Sequence, residues 1–183
     1  MLIEYFEYTD PGFKKPVPVF LDDKQYSQTL STVSFGCCDI LIVTDNGFLL
    51  IKRKTKPAAG LWWVIAGRRR MGETRIEAAT RCFKRETGLE VSTERFNFIG
   101  IADCRMESRQ QEPQDAGTHA DAYIHFLKLS NKEVGELKFD PQEFQPGDWC
   151  VISHTKARTM VTDKKFHPYI GWIISLTLKC LYY

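Results

Sequence analysis

The sequence has little excess charge and no cysteine pattern that would hold a metal. Its 183 residues carry a formal net charge of +2, so we expect no broad nucleic-acid-binding surface. The six cysteines are scattered, apart from the adjacent pair Cys37 and Cys38, and their spacing matches no zinc motif. Reduced thiols of this kind are typical of the cytoplasm, and we expect the protein there.

The sequence also lacks segments that would lead it into or across a membrane. The N-terminus, MLIEYFEYTD, is acidic and contains no apolar core of a secretory signal. The apolar C-terminal run, YIGWIISLTLKCLYY, is too short to span a bilayer and contains Lys179. We therefore expect no membrane association. The run predicts either a helix docked on the domain or a homodimer contact.

Length and composition fit one globular domain. The chain is 43% hydrophobic and 26% charged, which is ordinary for a folded protein with a single core. Prolines interrupt the first part of the chain. We therefore expect residues 1–32 to form an N-terminal extension that packs on a single domain of residues 33–183.

Apolar runs bounded by turn residues predict a sheet flanked by helices. Five segments are predicted strands: Val33–Val43, Phe48–Arg53, Leu61–Ala66, Phe96–Cys104 and Asp121–Leu129. Asp45-Asn46-Gly47 is typical of a hairpin turn. The polar stretch Glu107–Gly117 predicts a mobile loop, and two later segments predict helices, His154–Val161 and Pro168–Leu181.

The most informative stretch is GRRRMGETRIEAATRCFKRETGL, which begins at Gly67. Glycines at both ends of Gly67–Gly72 predict a loop. Glu73–Thr87 is predicted to be a helix, because its apolar residues recur every three or four positions and form one stripe, Ile76, Ala79 and Phe83. Its opposite side carries charged residues. Gly88 ends this helix.

The spacing of these residues resembles the Nudix box. It places a glycine, five residues, Glu73, seven residues, Arg81, and then Glu86-Thr87-Gly88-Leu89. Cys82 and Arg85 stand where the family pattern has two further glutamates, so the box is depleted. The resemblance implies an α/β/α sandwich with a mixed sheet. It also implies a hydrolase that uses Mg²⁺, or Mn²⁺ in its place.

The resemblance also implies roles for individual box residues. Glu86 would hold the metal together with backbone carbonyls near Ala66 and Gly67, and Glu73 would brace Arg81. Mg²⁺ takes only one or two protein carboxylates, so a single helix glutamate is enough to begin a site. Cys82 and Arg85 cannot bind the metal in place of the missing glutamates, because a neutral thiol is a poor magnesium ligand and a guanidinium is never one.

The segment before the box, GFLLIKRKTKPAAGLWWVIAGR, is similar to nucleotide-sugar Nudix enzymes such as the GDP-mannose mannosyl hydrolases. Those enzymes also lack some box glutamates. The similarity implies that Arg53 contacts the diphosphate or the leaving group, that Arg68 binds phosphate, and that Asp39 contacts the nucleobase. Asp39 lies within the apolar run CCDILIV, and a structural pairing of a buried carboxylate is an equal alternative.

One more carboxylate follows the box, in FDPQEFQPGDW. Glu143 stands six residues before Trp149, a position that in Nudix proteins completes the metal site or activates water; an ordinary loop glutamate is the alternative. Phe144 stands where the mannosyl hydrolases have a histidine base, so attack at phosphorus and attack at the sugar carbon both stay open. His119 could accept a proton, but a polar residue at a strand end is the favoured interpretation.

These residues predict a hydrolase of a nucleoside diphosphate joined to another group, most plausibly a nucleotide sugar such as GDP-mannose. Its partner would be a small nucleotide. The alternative is a catalytically weak or inactive Nudix-fold module that only binds nucleotides. Cys82 and Arg85 favour that alternative, whereas four other residues argue against it, namely Glu73, Arg81, Glu86 and Glu143.

Overall fold

The computed structural model describes residues 5–160 and 166–182. Within them the helices are α1 Asp23–Leu30, α2 Arg75–Thr87, α3 Asn131–Glu136, α4 His154–Met160 and α5 Pro168–Tyr182. The strands are β1 Phe35–Thr44, β2 Gly47–Arg53, β3 Trp62–Trp63, β4 Ile65–Arg68, β5 Phe96–Met106, β6 Thr118–Lys128 and β7 Phe144–Ile152. Val161, the predicted end of the fourth helix, lies outside the described residues.

The strands form one mixed sheet of seven, with β1 near its centre. Along one edge, β1 pairs antiparallel first with β4 and then with β2. Along its other edge it runs parallel to β6, so that Phe35 lies opposite Ala120. β5 is antiparallel to β6, while β3 and β7 both pair with β2. The predicted α/β class with a mixed sheet is confirmed.

Side chains of β1 alternate between two hydrophobic cores, as the period of a strand requires. Leu41 and Val43 belong to the core that contains residues of α4 and α5, such as Ala157 and Ile173. Ile40 and Ile42 belong to the opposite core, which α2 covers with several side chains, Ala78, Ala79, Cys82 and Phe83. Helices therefore cover both faces of the sheet, which gives the expected α/β/α layers.

Helix α2 begins two residues later than the sequence predicted. The Thr74 hydroxyl accepts a hydrogen bond from the Glu77 backbone, and the Glu77 carboxylate accepts one from the Thr74 backbone, so Thr74 is the N-cap. Gly88 ends the helix in the left-handed conformation, with φ of 69°. The prediction that Gly67 opens a loop was also wrong, because β4 continues through Arg68.

Three elements escaped prediction. Helix α1 lies inside the predicted N-terminal extension, after its last proline, and Asp22 caps it. Strand β7 contains Pro146 and Gly147, which hide its apolar alternation, and α3 is only six residues long. The predicted strand Leu61–Ala66 is divided between β3 and β4.

The apolar C-terminal run forms α5 and docks on the sheet. Ile170, Ile173 and Ile174 of this helix are fully buried in the core, which explains the apolar composition of the run. Among the described residues, no helix combines the length and apolar character needed to cross a bilayer.

Candidate active site

The box helix presses Glu86 against strand β4. Glu86 is only 2% exposed, and its Oε2 accepts a hydrogen bond from the Ala66 backbone N–H at 3.3 Å. One turn earlier, Cys82 is fully buried against Gly67, where any Cβ would collide with the Cys82 sulfur. Glycine is therefore required at position 67 because the helix approaches the strand backbone so closely.

Arg85 holds the other oxygen of this carboxylate. Its Nη2 donates to Oε1 of Glu86, and the Arg85 side chain is 44% exposed. The pKa of Glu86 is raised to about 7. Burial is the main cause and the charge of Glu143 adds to it, while the contact with Arg85 lowers the pKa in part. Among the described residues, the charged group at hydrogen-bond distance from this buried carboxyl is thus the Arg85 guanidinium.

Glu143 lies in the same electrostatic environment. It immediately precedes β7, and its Oε2 accepts a hydrogen bond from the Thr55 hydroxyl at 3.2 Å. Its charge raises the pKa of Glu86 and acts on the arginines at positions 68 and 85. The fold therefore brings Glu86 to the Ala66 backbone and Glu143 within electrostatic range of Glu86, although the three are distant in sequence.

Two carboxylates and neighbouring backbone carbonyls suit a divalent cation whose remaining ligands come from substrate and water. Within residues 5–160 and 166–182, no cluster of three or more His, Cys, Asp or Glu side chains could hold a metal alone. Mg²⁺ needs only one or two protein carboxylates when phosphate oxygens supply the rest. Glu86 and Glu143 repel one another, and a cation between them would relieve that repulsion. Such a cation would neutralise charge on a bound diphosphate.

Glu73 and Arg81 tie the loop after β4 to helix α2. Arg81 donates to both Glu73 oxygens, from Nε at 2.5 Å and from Nη2 at 2.8 Å, and its Nη2 also donates to the Arg68 carbonyl at 2.8 Å. Burial raises the pKa of Glu73, but the hydrogen bonds from Arg81 and from the Arg70 backbone outweigh it and lower the pKa overall. This two-point contact is geometrically demanding, so it fixes the backbone next to Gly67.

The Arg68 guanidinium lies against two aromatic rings. Its Cζ is 4.9 Å from the ring centroid of Tyr26 in α1 and 5.2 Å from that of Phe35 in β1. Burial lowers the pKa of Arg68, and the charge of Glu143 opposes that effect. In the part of the chain that the structure describes, no hydrogen bond from this guanidinium to another residue is present.

Asp39 and Arg53 lie on neighbouring strands with different partners. Asp39 is 5% exposed, and its Oδ2 accepts a hydrogen bond from the Tyr169 hydroxyl of α5 at 2.7 Å. Burial raises the pKa of Asp39 to about 6, although that hydrogen bond and the charge of Arg53 lower it. Arg53 donates from Nε to the Thr55 carbonyl at 3.1 Å. Asp39 therefore has the structural partner that its burial requires.

His119 pairs away from the two site carboxylates. Its Nε2 lies 2.7 Å from Oδ1 of Asp103 on the adjacent strand, near the surface. Sequence reasoning missed several site neighbours, namely Tyr26, Thr55 and Tyr169, and it missed that Arg85 pairs with Glu86. No local pattern marks these residues, because three of them reach the site from distant segments.

Comparison with known proteins identifies the family. A model of the NUDIX domain matches residues 34–169. No curated protein sequence matches the chain.

Solved structures share the fold at low identity. A MutT protein from Methanosarcina mazei Go1 is 15% identical with a TM-score of 0.60, over 82% of this chain and 96% of the other. A MutT NUDIX hydrolase from Burkholderia pseudomallei is 22% identical with a TM-score of 0.52, over 72% and 99%. The NUDIX domain of Shewanella oneidensis NrtR, complexed with ADP ribose, is 11% identical with a TM-score of 0.53, over 88% and 99%.

These likenesses show the fold, and the domain match over most of the chain shows the family. The buried Glu86 beside Ala66 and Gly67, braced by the Glu73–Arg81 pair, lies inside the matched range. The chain belongs to the Nudix family.

Proposed function

We propose that the enzyme hydrolyses a nucleoside diphosphate joined to a sugar, such as GDP-mannose, with Mg²⁺ or Mn²⁺. One observation carries this proposal. A pair of carboxylates, Glu86 and Glu143, shares its environment with the Arg68 guanidinium, which has no hydrogen-bond partner in the described protein. Anionic groups for a cation and a cationic group for phosphate are the combination that diphosphate hydrolysis needs.

Each group has a distinct role in this proposal. Glu86, Glu143 and the carbonyls near Ala66 and Gly67 would hold the cation. Arg68 would bind the diphosphate, because an arginine presents several N–H donors to phosphate oxygens in fixed geometry. Glu143 is half-buried and can also be reached by water, so it is our candidate for the general base.

Arg53 has the second cationic role. It lies at the end of β2, and its Nε is engaged by the Thr55 carbonyl. That contact directs the side chain toward the loop whose Thr55 hydroxyl binds Glu143. We propose that Arg53 neutralises charge on the diphosphate or on the leaving group.

The linked sugar is the finer part of the proposal. The segment from Gly47 to Arg68 is similar to nucleotide-sugar Nudix enzymes, which also lack some box glutamates. The Shewanella domain was solved with ADP ribose, itself a nucleoside diphosphate joined to a sugar. Asp39 is buried and accepts from the Tyr169 hydroxyl, so we propose that it holds helix α5 and not the nucleobase. All six cysteines are free thiols, which suits our proposal of a cytoplasmic enzyme.

The test is a substrate screen with product identification. Purified protein is incubated with Mg²⁺ or Mn²⁺ and with nucleotide sugars, dinucleotides and nucleoside triphosphates, and Glu86→Gln serves as the matched control. Turnover of a nucleotide sugar that the control lacks is the expected result. Running the reaction in ¹⁸O-water then locates the attack, because the label enters either the sugar or a phosphate.

A second candidate has its own supporting observation. Arg85 occupies one oxygen of Glu86 and its charge opposes that of a metal ion, which favours a catalytically weak module. Nucleotide binding with no turnover of any of these substrates, under either cation, would support this alternative over the hydrolase.

A further inference from the structure

Arg68 is held in a way that points to a ligand. The rings of Tyr26 and Phe35 both lie at cation–π distance from the guanidinium and occupy none of its N–H groups as hydrogen-bond acceptors. Its main chain is fixed as well, since residue 68 pairs with Cys37 and its carbonyl accepts from Arg81. An arginine fixed at both ends, with no hydrogen-bond partner in the described protein, is prepared to bind an anion.

A second arginine contacts the helix that carries Tyr26. Arg109, in the loop between β5 and β6, is 1% exposed. Its Nη2 donates to the Ser27 hydroxyl at 2.8 Å, and its Nη1 donates to the Ser31 hydroxyl at 2.9 Å. The Ser27 hydroxyl in turn donates to the Glu112 carbonyl at 2.5 Å. Because a buried guanidinium is costly without hydrogen-bond acceptors, these serine contacts connect helix α1 to that loop.

Helix α1 therefore contacts Arg68 through the ring of Tyr26. Tyr26 also packs edge-on against Phe35, with ring centroids 6.5 Å apart, so the two rings support each other around the guanidinium. The surfaces of the rings restrict the rotamers of Arg68 before any ligand arrives. A restricted side chain loses less conformational entropy when it binds.

We propose that Tyr26 of helix α1 is a positioning residue of the active site. With Phe35 it holds the Arg68 guanidinium ready for the diphosphate of the substrate, and Arg109 fixes the helix that carries it. This inference rests on the proposed function, in which Arg68 binds that diphosphate. It makes the N-terminal segment a functional part of the enzyme.

The experiment compares variants of Tyr26 and Phe20 in the full-length chain with Arg68→Ala. Tyr26→Leu removes the ring, Tyr26→Phe keeps it without the hydroxyl, and Phe20→Leu removes a ring that covers Arg70 instead, at 5.5 Å. Binding of pyrophosphate with Mg²⁺ is measured by calorimetry, and kcat and KM are measured with GDP-mannose. Thermal melting verifies that each variant is folded.

We expect Tyr26→Leu to weaken pyrophosphate binding and to raise KM by roughly three- to thirtyfold, the range of a cation–π contact, with little change in kcat. Tyr26→Phe should restore wild-type values, and Phe20→Leu should retain them. The double variant Tyr26→Leu with Arg68→Ala should bind no more weakly than Arg68→Ala alone, because both changes remove one contact.

The outcomes separate the inference from the proposed function. If Arg68→Ala weakens pyrophosphate binding but Tyr26→Leu does not, Tyr26 has no positioning role and the proposed function stands. If Arg68→Ala itself has no effect, or the wild type does not bind pyrophosphate, both the inference and the phosphate role of Arg68 are wrong. Equal losses in Tyr26→Leu and Tyr26→Phe would also overturn the inference, since the ring would then not be the cause.

Discussion

We expect removal of Arg85 to tighten metal binding, because in the proposed site Arg85 and a divalent cation would compete for the same oxygen of Glu86. The guanidinium donates to Oε1 of a carboxylate that is 2% exposed, so a cation must displace it to bind there. Arg85→Met removes the charge and the donor while keeping a long side chain of similar reach.

The magnitude follows from the contact that is lost. A hydrogen bond between charged groups contributes about 1.5–3 kcal/mol. Because Arg85 is 44% exposed, solvent screening reduces this to about 1–2 kcal/mol. Arg85→Met should therefore bind Mn²⁺ roughly five- to thirtyfold more tightly than the wild type.

The assay is a Mn²⁺ titration by calorimetry or electron paramagnetic resonance, without substrate. The pKa of Glu86 is raised to about 7, and loss of Arg85 raises it further, so the titration is run near pH 9 to keep the carboxylate ionised. Nearer pH 7 the gain should shrink, because protons then compete with the metal for the variant's carboxylate.

Lys84→Met is the matched control. It removes the same charge from the neighbouring helix position, where Lys84 pairs with Glu90 at 2.8 Å and does not contact Glu86. Mn²⁺ affinity should stay at the wild-type value. Equal Mn²⁺ affinity of Arg85→Met and wild type near pH 9 would refute the competition. An equal rise in Mn²⁺ affinity in Arg85→Met and Lys84→Met would show that only the overall charge matters.

Three further predictions concern single residues. Glu86→Gln should lose nearly all metal-dependent turnover while remaining folded, because it removes the box carboxylate beside Ala66; undiminished turnover would contradict the assignment. Arg53→Ala should lower kcat/KM by about tenfold or more through a lost phosphate contact, and an unchanged kcat/KM for every accepted substrate would show that Arg53 has no role. Asp39→Asn should be more stable than wild type above pH 6 by on the order of 2 kcal/mol, since it removes the cost of ionising a buried carboxyl whose pKa is raised to about 6. Urea denaturation should show that advantage shrink as the pH falls toward 4, where Asp39 is protonated; a difference independent of pH would refute it.

The sequence was most informative where one segment alone determines the structure. Periodic apolar residues located helix α2 and strands β1 and β2, and the capping pattern at Thr74 was present in the sequence although its role was overlooked. Strand β7 was missed because its register shifts around Pro146 and Gly147, where burial no longer alternates. Local periodicity cannot reveal such a strand.

Long-range contacts explain what the sequence could not predict at the site. The spacing of the box was enough to single out Glu86 and the Glu73–Arg81 pair. Whether Asp39 faces a ligand or a structural partner depends on Tyr169, 130 residues away in sequence. No pattern around position 39 contains that information, because it is created only when helix α5 packs on the sheet.

The parallel pairing of β1 with β6 has a consequence for synthesis of the chain. Strand β1 can pair with β2 and β4 soon after they leave the ribosome, but Phe35 must wait for Ala120. Until then the middle of the future sheet is an open edge with unpaired backbone groups, a surface prone to wrong association. Nascent chains that stop before β6 should therefore aggregate or bind chaperones. Chains long enough to include Thr118–Lys128 should no longer do so.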